Sequence, residues 1–172
     1  MAVKIRPNRP FPPSIDAHGD VDRGGKDLLV YTASCDDRMM PSVVQLIRSS
    51  ALADAPYAHA ATAPAGSRLV FLAGACPLND DGTTAAPGDY AAQASRCVET
   101  LLEALRAAGA ALTDVISTRV LVASSAREDL VAAWDVIHGA FGEHDVPSTL
   151  LGVTVLGYDG QLVEVEAIAA VA

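Results

Sequence analysis

At 172 residues the chain is long enough for one domain with a buried core and short for two, and 51% hydrophobic with 19% charged residues is a globular composition. A formal net charge of -9 repels phosphate backbones and anionic membrane surfaces, and no Lys/Arg cluster offsets it, so nucleic-acid and membrane partners are disfavoured. Cys35, Cys76 and Cys97 are odd in number and lack metal-ligand spacing, which argues against a disulfide framework or a zinc site.

Residues 1–40 read as an N-terminal extension, disordered or partly ordered, ahead of a folded domain at 41–172. Arg6-Pro7-Asn8-Arg9-Pro10-Phe11-Pro12-Pro13 cannot hold a helix or an interior strand, because its prolines lack backbone donors. This start also lacks the apolar core of a signal peptide, and no apolar run reaches the roughly 18–20 residues needed to span a bilayer. The expected location is the cytoplasm. Residues 16–26, rich in Gly and Asp and carrying His18, resemble a metal loop only loosely and fit no standard ligand spacing. Residues 28–31 could add a short strand, and Met39-Met40 precede the first clean strand pattern.

From Pro41 the punctuation becomes regular. Strands are predicted at 43–47, 57–62 and 69–73, the last two separated by the turn chemistry of Ala63-Pro64-Ala65-Gly66-Ser67. A helix is expected from Asp89, whose carboxylate suits a helix N-terminus, with Ala94, Cys97, Val98, Leu101, Leu102, Leu105 and Ala108 as its apolar stripe and Gly109 at its end. A strand at 115–123 follows. Ser125-Ala126-Arg127-Glu128 reads as a capping box for a second helix, whose stripe is Leu130, Trp134, Ile137 and Phe141. Final strands at 148–156 and 161–170 flank Gly157-Tyr158-Asp159-Gly160, a hairpin candidate.

Two helices cannot cover both faces of so wide a sheet, so they should share one face. At strand period the last segment sends Leu162, Glu164, Glu166 and Ile168 to one side, and Val163, Val165 and Ala167 to the other. Carboxylates are rarely buried unless partnered, so the Glu164/Glu166 side should line a cavity or an interface between copies of the chain. Arg119, mid-strand, needs an exposed or interfacial place, or an ion pair with Glu164 or Glu166. His59 and His138 lack a Ser or Cys partner pattern, and Gly74, Gly82 and Gly88 do not form a phosphate loop.

Ala55-Pro56-Tyr57-Ala58-His59-Ala60 and Leu69-Val70-Phe71-Leu72-Ala73-Gly74-Ala75-Cys76-Pro77-Leu78 resemble the opening of the Rid (YjgF) family of reactive-intermediate deaminases. Gly88-Asp89-Tyr90-Ala91-Ala92-Gln93-Ala94, Asp114-Val115-Ile116-Ser117-Thr118 and Leu162-Val163-Glu164-Val165-Glu166-Ala167-Ile168-Ala169 continue the resemblance in order, over roughly residues 43–172. It implies an α+β, chorismate-mutase-like subunit with a six-stranded mixed sheet and two helices on one face. It further implies a homotrimer whose sheets form a central barrel, with clefts between subunits that hydrolyse enamines and imines without a metal or organic cofactor.

By the same resemblance, Glu164 matches the acid that positions the attacking water and Tyr57 the cleft tyrosine. The substrate-binding set would be Ala73, Gly74, Ser148, Thr149 and Leu150, with Arg119, read from its place in the strand and not from the family, as the one candidate to supply a cation there. The family holds its substrate's carboxylate with an arginine in a Pro-Ala-Arg-Ser/Thr segment; here the segment is Val146-Pro147-Ser148-Thr149-Leu150, and the arginine's place is assigned to Ser148. A charge-assisted hydrogen bond contributes about 1.5–3 kcal/mol, so its loss should weaken a carboxylate substrate at least tenfold. Two functions follow: a hydrolase with altered specificity for a small imine or enamine, or a non-enzymatic small-molecule binder or regulator that keeps the trimer.

Overall fold

The computed structural model of the protein describes residues 42–172. The readings of residues 1–40, including the extension, the 16–26 loop and the 28–31 strand, lie outside the described residues.

Alternation builds the centre of the sheet. The last strand, β6 (Val163–Val171), buries Val163, Val165, Ala167 and Ala169, while Glu164, Glu166 and Ile168 are half-buried on the other face. It pairs antiparallel with β3 (Arg68–Phe71) on one side and with β4 (Val115–Val122) on the other. β5 (Ser148–Gly152) pairs parallel with β4, which gives a mixed four-stranded sheet in the order β3-β6-β4-β5. Two short strands, β1 (Gln45–Ile47) and β2 (Ala60–Thr62), pair antiparallel with each other. The expected six strands are thus present, but divided into a four-stranded sheet and a two-stranded ribbon.

The helices α1 (Tyr90–Ala107) and α2 (Arg127–Phe141) cover one face. Asp89 caps α1 as expected, accepting a hydrogen bond from the Ala92 amide, and Cys97, Leu101 and Leu105 are fully buried. With Ile137 and Phe141 of α2 and with Val120, Val122, Val163 and Val165 of the sheet they form one core. Small residues such as Ala94, Ala133, Ala167 and Ala169 let helices and sheet approach closely.

Two local expectations are corrected. The capping box does not form: α2 starts after Ala126, which makes no side-chain cap bond, and Ser124 instead accepts from the Ala126 amide and donates to Asp129 at 2.6 Å. Nor are β5 and β6 a hairpin, because β4 lies between them. Residues 153–162 form a crossover, with Gly160 at φ +70° turning the chain into β6.

A fully buried amide fastens that crossover. Gln93 of α1 donates from Nε2 to the Gly160 carbonyl (3.0 Å) and accepts at Oε1 from the Leu162 amide (2.7 Å). Gln93→Leu keeps the volume and strands both groups. At about 1–3 kcal/mol for each orphaned group, urea unfolding should show a loss of roughly 2–6 kcal/mol.

The ribbon is fastened to the rest through Arg48. Its guanidinium donates to the Ala55 and Tyr57 carbonyls (2.9 and 3.2 Å) and pairs with Asp145. His59 accepts from the Ser49 amide at 2.9 Å, so it works here as a loop clasp.

Candidate functional site

The uncovered face of the four-stranded sheet carries the candidate site. Register places side chains in rows across it, since residues paired in register share a face. One row is Leu151, Leu121 and Glu164; the next is Thr149, Arg119 and Glu166. Phe71 and Ile168 make a further pair, and Phe71 is 73% exposed.

Glu164 is the most constrained acid on this face. Its Oε2 accepts from Gln161 Nε2 at 2.9 Å and from the Cys76 thiol at 3.5 Å. Cys76 is brought there by the stretch after β3, where Ala75 bridges to Val165 through reciprocal backbone hydrogen bonds of 2.7 and 3.1 Å. Burial and the neighbouring Glu164 push the Cys76 thiol up to about 11, so it stays protonated at neutral pH and can only donate to the carboxylate. Burial pushes the Cys97 thiol up as well, which suits an inert core residue.

Gly74 supplies the space. A Cβ at this position would stand 1.9 Å from Glu164 Oε1 and 2.6 Å from its Cδ, so any side chain there displaces the carboxylate. Ala73, beside it, is exposed. Gly74 and Cys76 also line a groove of about 710 Å³ with Arg96, Thr100 and Tyr158. A smaller hollow of about 190 Å³ lies on the open face between Phe71, Ser117, Arg119, Glu166 and Ile168.

Arg119 pairs with Glu166, its Nη2 lying 2.6 Å from Oε2, with the arginine side chain 61% exposed. Of the two acids considered from the sequence, Glu166 is therefore the partner. Tyr57 is elsewhere in the protomer. Its ring packs edge-on to Trp134 of α2, with centroids 6.2 Å apart, and α2 covers the opposite face of the sheet from Glu164. His138 stacks on Trp134, 5.4 Å between centroids.

Ser148 and Leu150 are not on the site face. Ser148 is the register partner of Thr118, which is 2% exposed, and their hydroxyls lie 2.5 Å apart. Leu150 pairs in register with Val120 and packs on the core. Thr149 and Leu151 occupy the open face instead. Gln161 and Cys76 were missed as site residues. Neither belongs to the alternating pattern that marks the faces of β6; Gln161 reaches Glu164 from three residues before it, and the Ala75–Val165 bridge brings Cys76 to the same carboxylate.

Among the described residues, no three His, Cys, Asp or Glu side chains converge on a possible metal position, and no helix is long and apolar enough to cross a membrane.

The sequence model of the endoribonuclease L-PSP family matches residues 48–171. The chain belongs to this family, the YjgF/Rid family. Its fold is similar to that of a Rid-family protein of unknown function from Yersinia pestis, with 27% identity, a TM-score of 0.70, and coverage of 75% of this chain and 99% of that one. A member of the highly conserved YjgF/YER057c/UK114 family from Mycobacterium tuberculosis is 30% identical over 74% of this chain and 99% of its own, with a TM-score of 0.51. RidA from an Antarctic Psychrobacter, at 20% identity and a TM-score of 0.55, covers 76% of this chain and 99% of that one, and shares the fold. No curated protein matches the sequence at a significant level.

Ser148, the residue assigned to the arginine's place, is on the opposite face of the sheet from Glu164, whereas Thr149 shares that face.

Proposed function

We propose that this Rid-family protein is a hydrolase that converts a small imine, or an enamine after tautomerisation, to a carbonyl compound and ammonia. The observation that carries the reading is Glu164, a carboxylate held on an open face with Oε1 turned to the space left by Gly74. Water adds to the C=N carbon while Glu164 takes one of its protons and the π pair moves to nitrogen. Glu164 returns that proton to nitrogen to give a carbinolamine, then takes the hydroxyl proton and passes it to the amine as the C–N bond breaks, so that ammonia leaves and the C=O bond forms. Water is the only co-reactant this balance needs.

Recognition differs from the arginine-bearing members. Thr149 offers a hydroxyl on the face of Glu164, and Leu121 and Leu151 make the Glu164 row apolar. Arg119, directly opposite Thr149 in register, is the cation that meets an anionic substrate, with the carboxylate taking the place of Glu166. Ala73 and Gly74 border the ligand. The assay is release of ammonia and keto product from imines generated in situ by a pyridoxal-phosphate enzyme, with uncharged and carboxylated imines compared. Catalysis above the buffer rate is expected, and none across both classes would overturn the reading.

The working form is a homotrimer with sites between protomers. Support comes from the uncovered face, where Phe71 and Leu151 are exposed on a sheet whose other face is fully packed, and from Tyr57, which can meet Glu164 only from another copy. Light scattering should give three times the chain mass; a monomer at micromolar concentration would refute it. A second reading, ligand binding without turnover, is favoured by the engagement of Arg119 with Glu166. It predicts thermal stabilisation by carboxylates with no ammonia release.

A further inference from the structure

We propose that Gln161 and Cys76 are positioning residues for Glu164: together they hold Oε2, leaving Oε1 over Gly74 as the one oxygen that exchanges protons. The inference deepens the hydrolase reading and, for its turnover arm, rests on it.

The geometry is asymmetric. Both donors end on Oε2, at 2.9 Å from the Gln161 amide and 3.5 Å from the Cys76 sulfur. Among the described residues no hydrogen bond ends on Oε1, which instead fills the volume a Gly74 side chain would take. An oxygen already accepting two hydrogen bonds is a poor place to add a proton, whereas the unpartnered oxygen is open to one.

Gln161 is itself fixed. It is only 4% exposed, and its Oε1 accepts from the Tyr158 amide at 3.1 Å, which decides which end of the amide is the donor. The two Nε2 hydrogens then go to the Val163 carbonyl (3.2 Å) and to Glu164. No rotation of this amide improves its bonding, so it is a rigid support. The second support is equally persistent, since the Cys76 thiol keeps its proton through neutral pH.

The arrangement therefore does two things for a general base. It fixes the direction of Oε1, and it keeps the side chain from folding down onto the sheet or reaching for Arg119. Gln161 is buried and acts through Glu164 alone, while Cys76 is half-buried beside Gly74 and reaches the carboxylate through its thiol.

The test uses the full chain carrying Cys35→Ser, in which Cys97 is buried and only Cys76 is open to alkylation. If the thiol bonds an ionised Glu164, Glu164→Gln should speed iodoacetamide labelling of Cys76 at pH 9 about tenfold, because a charge holding the thiol protonated is gone. In NMR spectra, one side-chain amide proton of Gln161, assigned by its loss in Gln161→Met, should lose its downfield shift in Glu164→Ala. Gln161→Met and Cys76→Val should each lower kcat about tenfold with KM unchanged.

An unchanged labelling rate together with an unmoved amide proton would overturn the clamp, whatever the protein's activity. An altered labelling rate and amide shift in a protein with no turnover would uphold the clamp and sink the hydrolase reading. If Gln161→Met fails to fold, Cys76→Val carries the kinetic arm, and a fall in KM-independent turnover is still required. Equal kcat in the wild type and in that variant would remove Cys76 from the clamp.

Discussion

Replacing Glu164 with glutamine is expected to cut imine turnover by about 10²–10⁴ while the protein still folds. The change keeps the shape and the bond to Gln161 but removes the lone pair that accepts water's proton. Glu164 is half-buried outside the core, so thermal unfolding followed by circular dichroism should stay close to that of the wild type. Gly74→Ala attacks the same atom from the opposite side. Gly74 does not sit at positive φ, so the backbone accepts alanine, but the new Cβ would fall 1.9 Å from Oε1. The tip of Glu164 must swing away and lose its bond to Gln161, giving a loss of the same order although the acid is still present. Kinetics of ammonia release at saturating substrate decide both. Full activity in either variant would mean that the reaction does not pass through this oxygen.

The two variants also show which parts of the site local pattern could reveal. That Glu164 leaves the core is written in the alternation Val163-Glu164-Val165-Glu166, where a change of period would change the face. The stripe of α1 and its Asp89 cap are equally local, and both form as read. Gly74 was noticed only as part of a family motif, and its physical role depends on an acid ninety positions away. Cys76 depends on the same long-range closure, whereas Gln161, three residues before Glu164, turns back to it through the bend at Tyr158. The supposed hairpin at 157–160 shows the limit from the other direction: Tyr158-Asp159-Gly160 does turn the chain, with Gln161 reaching back to Tyr158, but turn chemistry cannot say which strands flank it as neighbours. That is settled by the parallel register of β5 on β4 and by the buried amide of Gln93, both contacts between distant segments. Likewise Ser125-x-x-Glu128 has the letters of a capping box, yet Ser124 and Asp129 already satisfy the turn one residue earlier, leaving it no work.

The sharpest consequence of register concerns a pair of adjacent residues. Moving one position along a strand exchanges one face of the sheet for the other, so arginine at 148 and at 149 should have opposite effects. Ser148→Arg forces a guanidinium against Thr118, whose hydroxyl is its closest partner in the interior, and no described carboxylate is in hydrogen-bond contact with Ser148. An uncompensated buried charge costs roughly 3–5 kcal/mol, and urea unfolding should show a loss of that size. Thr149→Arg sets the same group beside Arg119 on the open face, where Glu166 already neutralises one of the two cations. The second guanidinium is then free to grip an anion, and a charge-assisted bond of about 1.5–3 kcal/mol should lower KM for a carboxylated imine tenfold or more. An uncharged imine should be unaffected, which separates recognition from any general change in the site. If Ser148→Arg folds normally and tightens the carboxylate while Thr149→Arg does neither, the face assignment of β5 is reversed and the functional surface lies on the helix side of the sheet.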